Sequence, residues 1–596
     1  MKQIRIAVVN KKKCSPKKCG FECYNFCPKV RAGAKTIIKR ENFAEIAEDL
    51  CIGCGICVKK CPFGAISIIN LQCDIGDVVH QYDKNAFRLY NLPIPRRGEI
   101  IGLVGQNAIG KTTTMNIFSG DLIPNIGNFN KNITKEQKYD NIIKIYKAST
   151  LHNFFSQLKN NNLTSAYKPQ KIDRLMNLFD EKDNVLDLIK KSKTNKNQVI
   201  DLLKSIDKNT DNTFLTKKIN HLSGGEMQKL SIAITLCKDR DVYFFDEPSM
   251  YLDIFVRLSV AEKIKKLKDK NKYCFVVEHD LAIVDYVCDF VHLYFGDQGV
   301  YGAISKPYTQ NNGINIYLSG YLKDKNIRFR DKSLVFDFTS QKYSSNDILL
   351  KYPAFSKKYT GFELKCNKGE LNSGEVVGIF GANALGKTTF AKILSGVEKT
   401  DSGYLKLKSR ISYKTQYLQT DFKGTVIDLI NSADIEKKDF LEIAQNLRIR
   451  QLNKRIVSTL SGGEMQRLAI AICLCRNADV YLLDEPSAYL DVEERIRLSK
   501  IIRNITQLKQ KSTLVIDHDI IFLNYTADKA IVFEGKSGSS GLAKSPQNIY
   551  SGFNYFLSQL NITFRLDRQT KRPRANKKNS KLDLEQKQRQ EYLAIC

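Results

Sequence analysis

Apolar and polar positions along this chain fall into a pattern that occurs twice. Two short apolar runs, EIIGLVG (99–105) and EVVGIFG (375–381), end in glycine and predict strands that feed a loop and then a helix. Two more, inside DVYFFDEP (241–248) and DVYLLDEP (479–486), predict buried strands that end on paired carboxylates. Between them, YDNIIKIYKASTLHNFFSQLKNNNLTSAY (139–167) carries apolar residues at three- and four-residue steps broken by an Asn-rich turn, which predicts two short helices. No run of about 18 consecutive apolar residues occurs. The opening MKQIRIAVVNKKKC also lacks the apolar stretch and small-residue cleavage site of a secretory signal. The expectation is a soluble, cytoplasmic chain with no membrane partner.

The repetition extends to whole motifs in one order. GQNAIGKTT (105–113) is matched by GANALGKTT (381–389), LSGGEMQKL (222–230) by LSGGEMQRL (460–468), DVYFFDEPSMYLD (241–253) by DVYLLDEPSAYLD (479–491), and VEHD (277–280) by IDHD (516–519). Two homologous α/β domains follow. Lys111 and Lys387 lie 276 residues apart but Ser223 and Ser461 only 238, so the first copy holds 38 extra residues between these motifs. With Gln170 (YKPQ) and Gln416 (YKTQ) as markers, 30 of the 38 precede the glutamine, which places an insert at about 125–168. A simple surface hairpin and an asymmetric functional element are both open readings of it. A weaker repeat joins NNGINIYLSGYLKDKNIRFRD (311–331) to YSGFNYFLSQLNITFRLD (550–567), one after each cassette, as plain linkers or as hinges that set the cassettes face to face. The resulting division is 1–75, 76–305, 306–335, 336–547 and 548–596.

The motifs specify nucleotide chemistry. In GxxxxGKT loops, backbone N–H groups wrap phosphates, the lysine reaches the β/γ oxygens and the threonine ligates Mg²⁺. This assigns ATP contact to Gly105, Gln106, Asn107, Ala108, Ile109, Gly110, Lys111, Thr112 and Thr113, and in the second copy to Gly381, Ala382, Asn383, Ala384, Leu385, Gly386, Lys387, Thr388 and Thr389. Asp246 and Asp484 are placed to hold Mg²⁺ through water, and Glu247 and Glu485 to orient or deprotonate the attacking water. His279 and His518 follow further strands, where an imidazole reaches the γ-phosphate; one such histidine is ordinarily a core residue, but two in the same register are not. Tyr82, Phe87 and Phe362, upstream of the loops, are candidates for stacking on adenine, with a core role the alternative. If Ala108 and Ala384 need positive φ, alanine costs about 1–2 kcal/mol there.

Composition adds two features. The chain holds 94 Lys+Arg against 63 Asp+Glu, a formal charge of +31, which favours a polyanionic partner, most simply nucleic acid; a solvated Lys- and Asn-rich surface is the alternative. Eight of the 16 cysteines fall within 14–61, which points to a metal or cluster site in a reducing compartment. Cys51, Cys54, Cys57 and Cys61-Pro62 form the ligand run of a bacterial-type ferredoxin; three cysteines on one tight loop suit a cubane better than zinc. The wider run Cys14, Cys19, Cys23 and Cys27-Pro28 completes two sets. Because the CP cysteine crosses over in two-cluster ferredoxins, Cys14, Cys19, Cys23 and Cys61 are assigned to one 4Fe–4S cluster and Cys51, Cys54, Cys57 and Cys27 to the other.

LSGGEMQ, the glutamines Gln170 and Gln416, DEP, the SxYLD loops and the two histidines resemble the ATP-binding cassette superfamily. That resemblance implies twin P-loop domains packed head to tail, Mg²⁺ contact from Gln170 and Gln416, and two composite sites. In one the loop at 105–112 faces Ser461, Gly462 and Gly463; in the other the loop at 381–388 faces Ser223, Gly224 and Gly225. A two-cluster α+β ferredoxin-like head fused to twin cassettes resembles ABC subfamily E, the RNase L inhibitor family of ribosome-recycling factors. RIAVVN, NAFRLYNLPIPRRGEIIGLVG, both cysteine runs, the insert, both hinge segments and RPRANKKNS carry the likeness. The resemblance implies ATP-driven splitting of ribosomes after termination or stalling, by a chain that is monomeric off the ribosome. It also implies binding to the small subunit with its rRNA and proteins, contact with a release factor or its rescue paralogue, and links to initiation factors and ribosome biogenesis. Two other readings stay open on the residues themselves: ATP-gated electron transfer through the clusters, and a translation or assembly scaffold whose clusters only brace a small domain.

Overall fold

The run at 99–105 forms the strand Ile100–Val104, and its counterpart Val376–Phe380; every residue of both is buried, as central parallel strands covered on two faces require. In the computed structural model, the described residues are 4–11, 13–71, 75–129, 133–170, 183–208, 210, 212–334, 347–403, 409–416 and 422–593.

Each of the two strands lies inside a nine-stranded sheet. In the first sheet, Ile100–Val104 runs parallel between Tyr273–Val277 and Phe290–Asp297, and Val242–Asp246 and Ser165–Lys168 continue the parallel stack. The second sheet repeats this with Ser512–Ile516, Lys529–Lys536, Val480–Asp484 and Ile411–Lys414 around Val376–Phe380. On the far side the hairpin of Val78–Gln81 and Arg88–Tyr90, or of Phe355–Tyr359 and Phe362–Cys366, brings aromatic side chains over the P-loop. The sheets run slightly past the expected cassette limits of 305 and 547: Tyr308–Thr309 and Gln547–Asn548 pair with the strands at 290–297 and 529–536.

The insert forms the helices Lys135–Ile145, opened by a Thr134–Gln137 capping box, and Thr150–Lys159. It is not a loose surface hairpin. Phe154 packs 5.0 Å from Phe118 at the end of the P-loop helix and 5.3 Å from Tyr273 in the sheet, so the insert shares the first cassette's core. The break between the helices is residues 146–149, where Ala148 takes φ 60°; the Asn-rich stretch at 160–162 instead follows the second helix. Turn-forming asparagines closed a helix here rather than separating two.

The N-terminal head pairs Ile4–Val9 with Ile66–Leu71 and Ile37–Lys39 with Ala44–Ile46. It docks on the first cassette through Asn85, whose side chain donates to Ala7 O (3.0 Å) and Ile46 O (2.9 Å) and accepts from Ile46 N (2.8 Å). Both weak-repeat segments form a helix followed by a short strand, Gln310–Ser319 with Ile327–Arg328 and Ile549–Leu560 with Phe564–Leu566. The segment after the second helix crosses to the first cassette: Arg574 grips Asp285 with two bonds of 2.8 and 3.0 Å, and the wholly buried Arg572 donates to Leu281 O.

Candidate functional site

Each P-loop leaves the C-terminal edge of its central strand, where open α/β sheets place ligands. Gly110 and Gly386 sit at φ 103° and 91°, directly before the helices Lys111–Ser119 and Lys387–Leu394. Ala108 and Ala384 both take φ 56°, which meets the condition under which alanine is strained, so each loop carries strain that glycine would relieve. Lys111 donates to Gly105 O (2.7 Å) and Gln106 O (2.8 Å), and Lys387 to Gly381 O (2.9 Å) and Ala382 O (2.6 Å). Burial, opposed by nearby carboxylates, depresses both ammonium groups to about 8.

Beside each loop stands the carboxylate pair. Glu247 and Glu485 take φ 48°, a strained conformation of the kind that collects at reactive sites. Gln170 donates to Glu247 Oε1 at 2.6 Å and Gln416 to Glu485 Oε1 at 2.7 Å, while the Nε2 atoms of His279 and His518 lie 3.5 and 3.4 Å from the same oxygens. Burial, with the charges of Asp246 and Glu278, pushes Glu247 up to about 7. Burial also acts on Glu485, but the hydrogen bond and charge of His518, with Lys387 and Lys414, outweigh it and hold that carboxyl below its ordinary value. Burial drives His279 well below the usual imidazole range. Asp484, raised to about 6 mainly by burial, is hydrogen-bonded to Thr388, and its Oδ1 is buried with no partner. A carboxylate oxygen left open beside a threonine hydroxyl fits a divalent cation.

The two cassettes meet head to tail. A cavity of about 1000 Å³ is lined from one side by Asn107 to Thr113 and Glu247 and from the other by Ser461, Gly462 and Gly463. Ser461 caps the helix Gly462–Cys475 through a capping box with Glu464, so the signature residues present a helix N-terminus to the first P-loop. Ser223 caps Gly224–Cys237 in the same way through Glu226. Facing the second P-loop, Asn383 N donates to Asp253 Oδ2 at 2.9 Å and its amide reaches Tyr251 O at 3.5 Å. The reciprocal contact is Asn107 N to Asp491 Oδ2 at 3.5 Å, and the tyrosines Tyr251 and Tyr489 join hydroxyls across the interface at 2.7 Å.

Tyr82 and Phe87 both line the first cavity, and Tyr82 hydrogen-bonds Thr113 at 3.0 Å. Phe362 stands against Gly386 as Phe87 stands against Gly110. Sequence reasoning missed Tyr359, whose ring lies 6.4 Å from Phe362 and whose hydroxyl donates to Glu398 and also meets Thr389, the counterpart of Thr113. The signal was present: each tyrosine precedes its phenylalanine by a few residues, in YDKNAF and YTGF. Also missed were Asp253 and Asp491 as contacts to the opposite loop, and the lysines Lys168 and Lys414.

In the head, Cys27, Cys51, Cys54 and Cys57 line one small cavity, which brings the first run's CP cysteine to the second run. Cys14, Cys19 and Cys61 lie near enough to Cys23 for their charges to add to the burial that raises its thiol, and Cys23 in turn neighbours Cys57. Backbone N–H groups of Gly53 and Ala65 point at Cys51 Sγ (3.4 Å) and Cys61 Sγ (3.3 Å), a donor pattern that suits anionic cluster sulfurs. Burial pushes Cys23 up to about 11 and Cys57 to about 12, a cost that cluster iron would remove. Among the described residues, no group of three His, Cys, Asp or Glu closes tightly enough for a single metal ion.

Twin nucleotide cassettes joined to a cysteine-rich head define an ABC-type ATPase with iron–sulfur clusters. The ABC transporter family matches residues 92–250 and 364–488, the 4Fe–4S binding domain 44–67, and a Fer4-like domain of RNase L inhibitor 4–35. An ABC transporter ATP-binding protein of Methanocaldococcus jannaschii is 44% identical, with 99% of this chain and 98% of the relative covered. Translation initiation factor RLI1 of Chaetomium thermophilum is 40% identical, covering 98% and 96%. Among solved structures, archaeal ABCE1 in a ribosome-bound model with Pelota has a TM-score of 0.93 at 44% identity over 100% of both chains. Archaeal ribosome recycling factor aABCE1, in complex with the ribosomal stalk protein aP1, has 0.79 at 42%, over 88% of this chain and 100% of the other. The chain belongs to the RNase L inhibitor family, ABC subfamily E.

Proposed function

We propose that this chain uses ATP to split ribosomes into subunits after termination or stalling, and then stays on the small subunit, linking recycling to initiation and ribosome biogenesis in the cytoplasm. One observation carries this reading: the chain matches, over its full length, ABCE1 bound to a ribosome with Pelota. The likenesses to a recycling factor held by a stalk protein and to a translation initiation factor support it. The partners are the small subunit's rRNA and proteins, a release factor or its rescue paralogue, and initiation factors; off the ribosome the chain is a monomer.

In each site, Lys111 or Lys387 exchanges its loop carbonyls for the β/γ-phosphates, and the loop N–H groups wrap the triphosphate. Thr112, Gln170 and Asp246, with Thr388, Gln416 and Asp484 in the second site, would hold Mg²⁺, which neutralises charge on the transferred phosphoryl group. Glu247 and Glu485, fixed by their glutamine and histidine neighbours, orient the attacking water and take its proton. His279 and His518 face the γ-phosphate, and Tyr82, Phe87, Tyr359 and Phe362 stack on adenine. Ser461-Gly462-Gly463 and Ser223-Gly224-Gly225 cap the γ-phosphate from the opposite cassette, so ATP closes the interface and hydrolysis releases it. Cys14, Cys19, Cys23 and Cys61 would hold one 4Fe–4S cluster and Cys51, Cys54, Cys57 and Cys27 the other, and the pair would brace the head.

Sucrose-gradient sedimentation of ribosomes with the chain, a rescue factor and ATP tests the proposal. Free subunits are expected, with the chain on the small one when a non-hydrolysable analogue replaces ATP. Intact ribosomes, with ATP turned over normally, would overturn it.

A further inference from the structure

We propose that Lys168 and Lys414 are positioning residues for hydrolysis, each holding the backbone of the carboxylate pair in the left-handed turn that aims Glu247 or Glu485 at the attacking water. The reading rests on the ATPase assignment and not on ribosome splitting.

Both lysines are the last residues of the strands Ser165–Lys168 and Ile411–Lys414, paired in register with Phe245 and Leu483 of the carboxylate-bearing strands. Lys168 is 0% and Lys414 3% exposed. A buried ammonium is costly unless its donors are satisfied. Here the acceptors are two successive carbonyls: Asp246 O (2.8 Å) and Glu247 O (3.1 Å) for Lys168, and Asp484 O (2.7 Å) and Glu485 O (3.5 Å) for Lys414. In an extended strand, successive carbonyls point in opposite directions, so they converge on one ammonium only if the chain turns between them. The positive φ of Glu247 and Glu485 supplies that turn, and the lysine keeps it.

The neighbouring residues complete the grip. Tyr167 donates to Asp246 Oδ2 (3.2 Å) and Tyr413 to Asp484 Oδ2 (3.3 Å), while Gln170 and Gln416 hold the glutamate carboxylates. The sequence Tyr-Lys-x-Gln therefore fixes the Asp-Glu pair at three kinds of atom: the aspartate side chain, the backbone, and the glutamate side chain. Gln228 and Gln466 of the signature helices also donate to Glu247 O (2.9 Å) and Glu485 O (2.6 Å). The geometry recurs in both cassettes, although the residue between lysine and glutamine differs, Pro169 against Thr415.

Lys168→Met and Lys414→Met retain the stem and remove the donors. Ribosome-free ATP turnover, fluorescent-nucleotide titration and thermal unfolding are compared in the single and double variants of the full chain. The double variant should lose about tenfold or more in kcat, while KM and nucleotide affinity stay within about twofold, because the P-loops are untouched. Unchanged kcat, or affinity lost in parallel with kcat, would overturn the assignment. Lys168→Gln and Lys414→Gln, shorter neutral donors, replace the methionine variants if those unfold: reduced kcat at native affinity supports the proposal, and failure to bind nucleotide overturns it. Because no ribosome is present, failure here leaves the splitting proposal standing, and a native chain that fails to split ribosomes leaves the lysine assignment standing.

Discussion

The two P-loop sites share one frame of side chains and differ in what surrounds it. Both P-loops place a lysine, a threonine, a strained alanine and an Asp-Glu pair in matching geometry, down to glutamine contacts of 2.6 and 2.7 Å. Around the first P-loop the closing contact is polar: Glu493 accepts from Gln106 and lies 3.4 Å from Arg330 of the first hinge. The equivalent position in the first cassette is Phe255, which packs edge-on, 6.2 Å away, against Phe556 of the second hinge helix. Arg467 of the second signature helix lines the first cavity and pairs with Glu494, whereas its counterpart Lys229 pairs with Asp207 at 2.6 Å. His80 stands edge-on to Tyr82 at 4.8 Å, where the second cassette sets the Lys357 cation over Tyr359. The frame is duplicated, and its surroundings are not: at one matched position a charged contact stands at one half of the interface where the other half has aromatic packing.

The largest effect expected is from the carboxylates. Glu247→Gln or Glu485→Gln should cut turnover at its site by about 10²-fold or more and trap a closed, ribosome-bound chain, read by single-turnover kinetics and co-sedimentation. Normal turnover and release in both variants would refute the assigned base. Tyr82→Ala and Tyr359→Ala should each raise the ATP KM at their own site about tenfold, from about 1–3 kcal/mol of lost stacking. An effect at one site alone would make that asymmetry larger than the geometry implies. Glu493→Ala should weaken closure by about 1–3 kcal/mol and flatten its salt dependence, while Phe255→Ala should cost about 1 kcal/mol at every ionic strength. Fluorescence transfer across the interface, titrated with salt, separates the two. Charge reversal at Lys59 and Lys60, both exposed, should weaken ribosome binding and lower its salt slope. The smallest effect is from Ala108→Gly and Ala384→Gly, which relieve positive φ at a cost in chain entropy and should move stability by no more than about 1 kcal/mol.

What could be read from sequence was whatever local motifs and fixed spacings write, twice in the cassettes and once in the head. The P-loops, the Asp-Glu pairs, the histidines and the crossed cysteine sets each need only a short segment or a fixed spacing. Tyr359 escaped because its partner Thr389 lies 30 residues away and meets it only when the hairpin folds over the loop. Lys168 and Lys414 escaped because a lysine in a strand reads as surface, and only the sheet order reveals that it points at another strand's carbonyls. The Asn-rich stretch at 160–162 misled for a simpler reason: asparagine favours a helix end as readily as a turn between helices. The contacts of Asp253, Asp491 and Glu493 depend on how two cassettes dock, which no local pattern records.

The most direct test of the account is stopped-flow light scattering of ribosomes mixed with a rescue factor, ATP and the full chain, set beside chains carrying Lys111→Ala or Lys387→Ala. Scattering should fall as subunits separate with the native chain, and stay level when either P-loop lysine is removed. Undiminished scattering from native chain that is turning over ATP, or equal splitting by both lysine variants, would contradict the claim that closure of two ATP sites drives the ribosome apart.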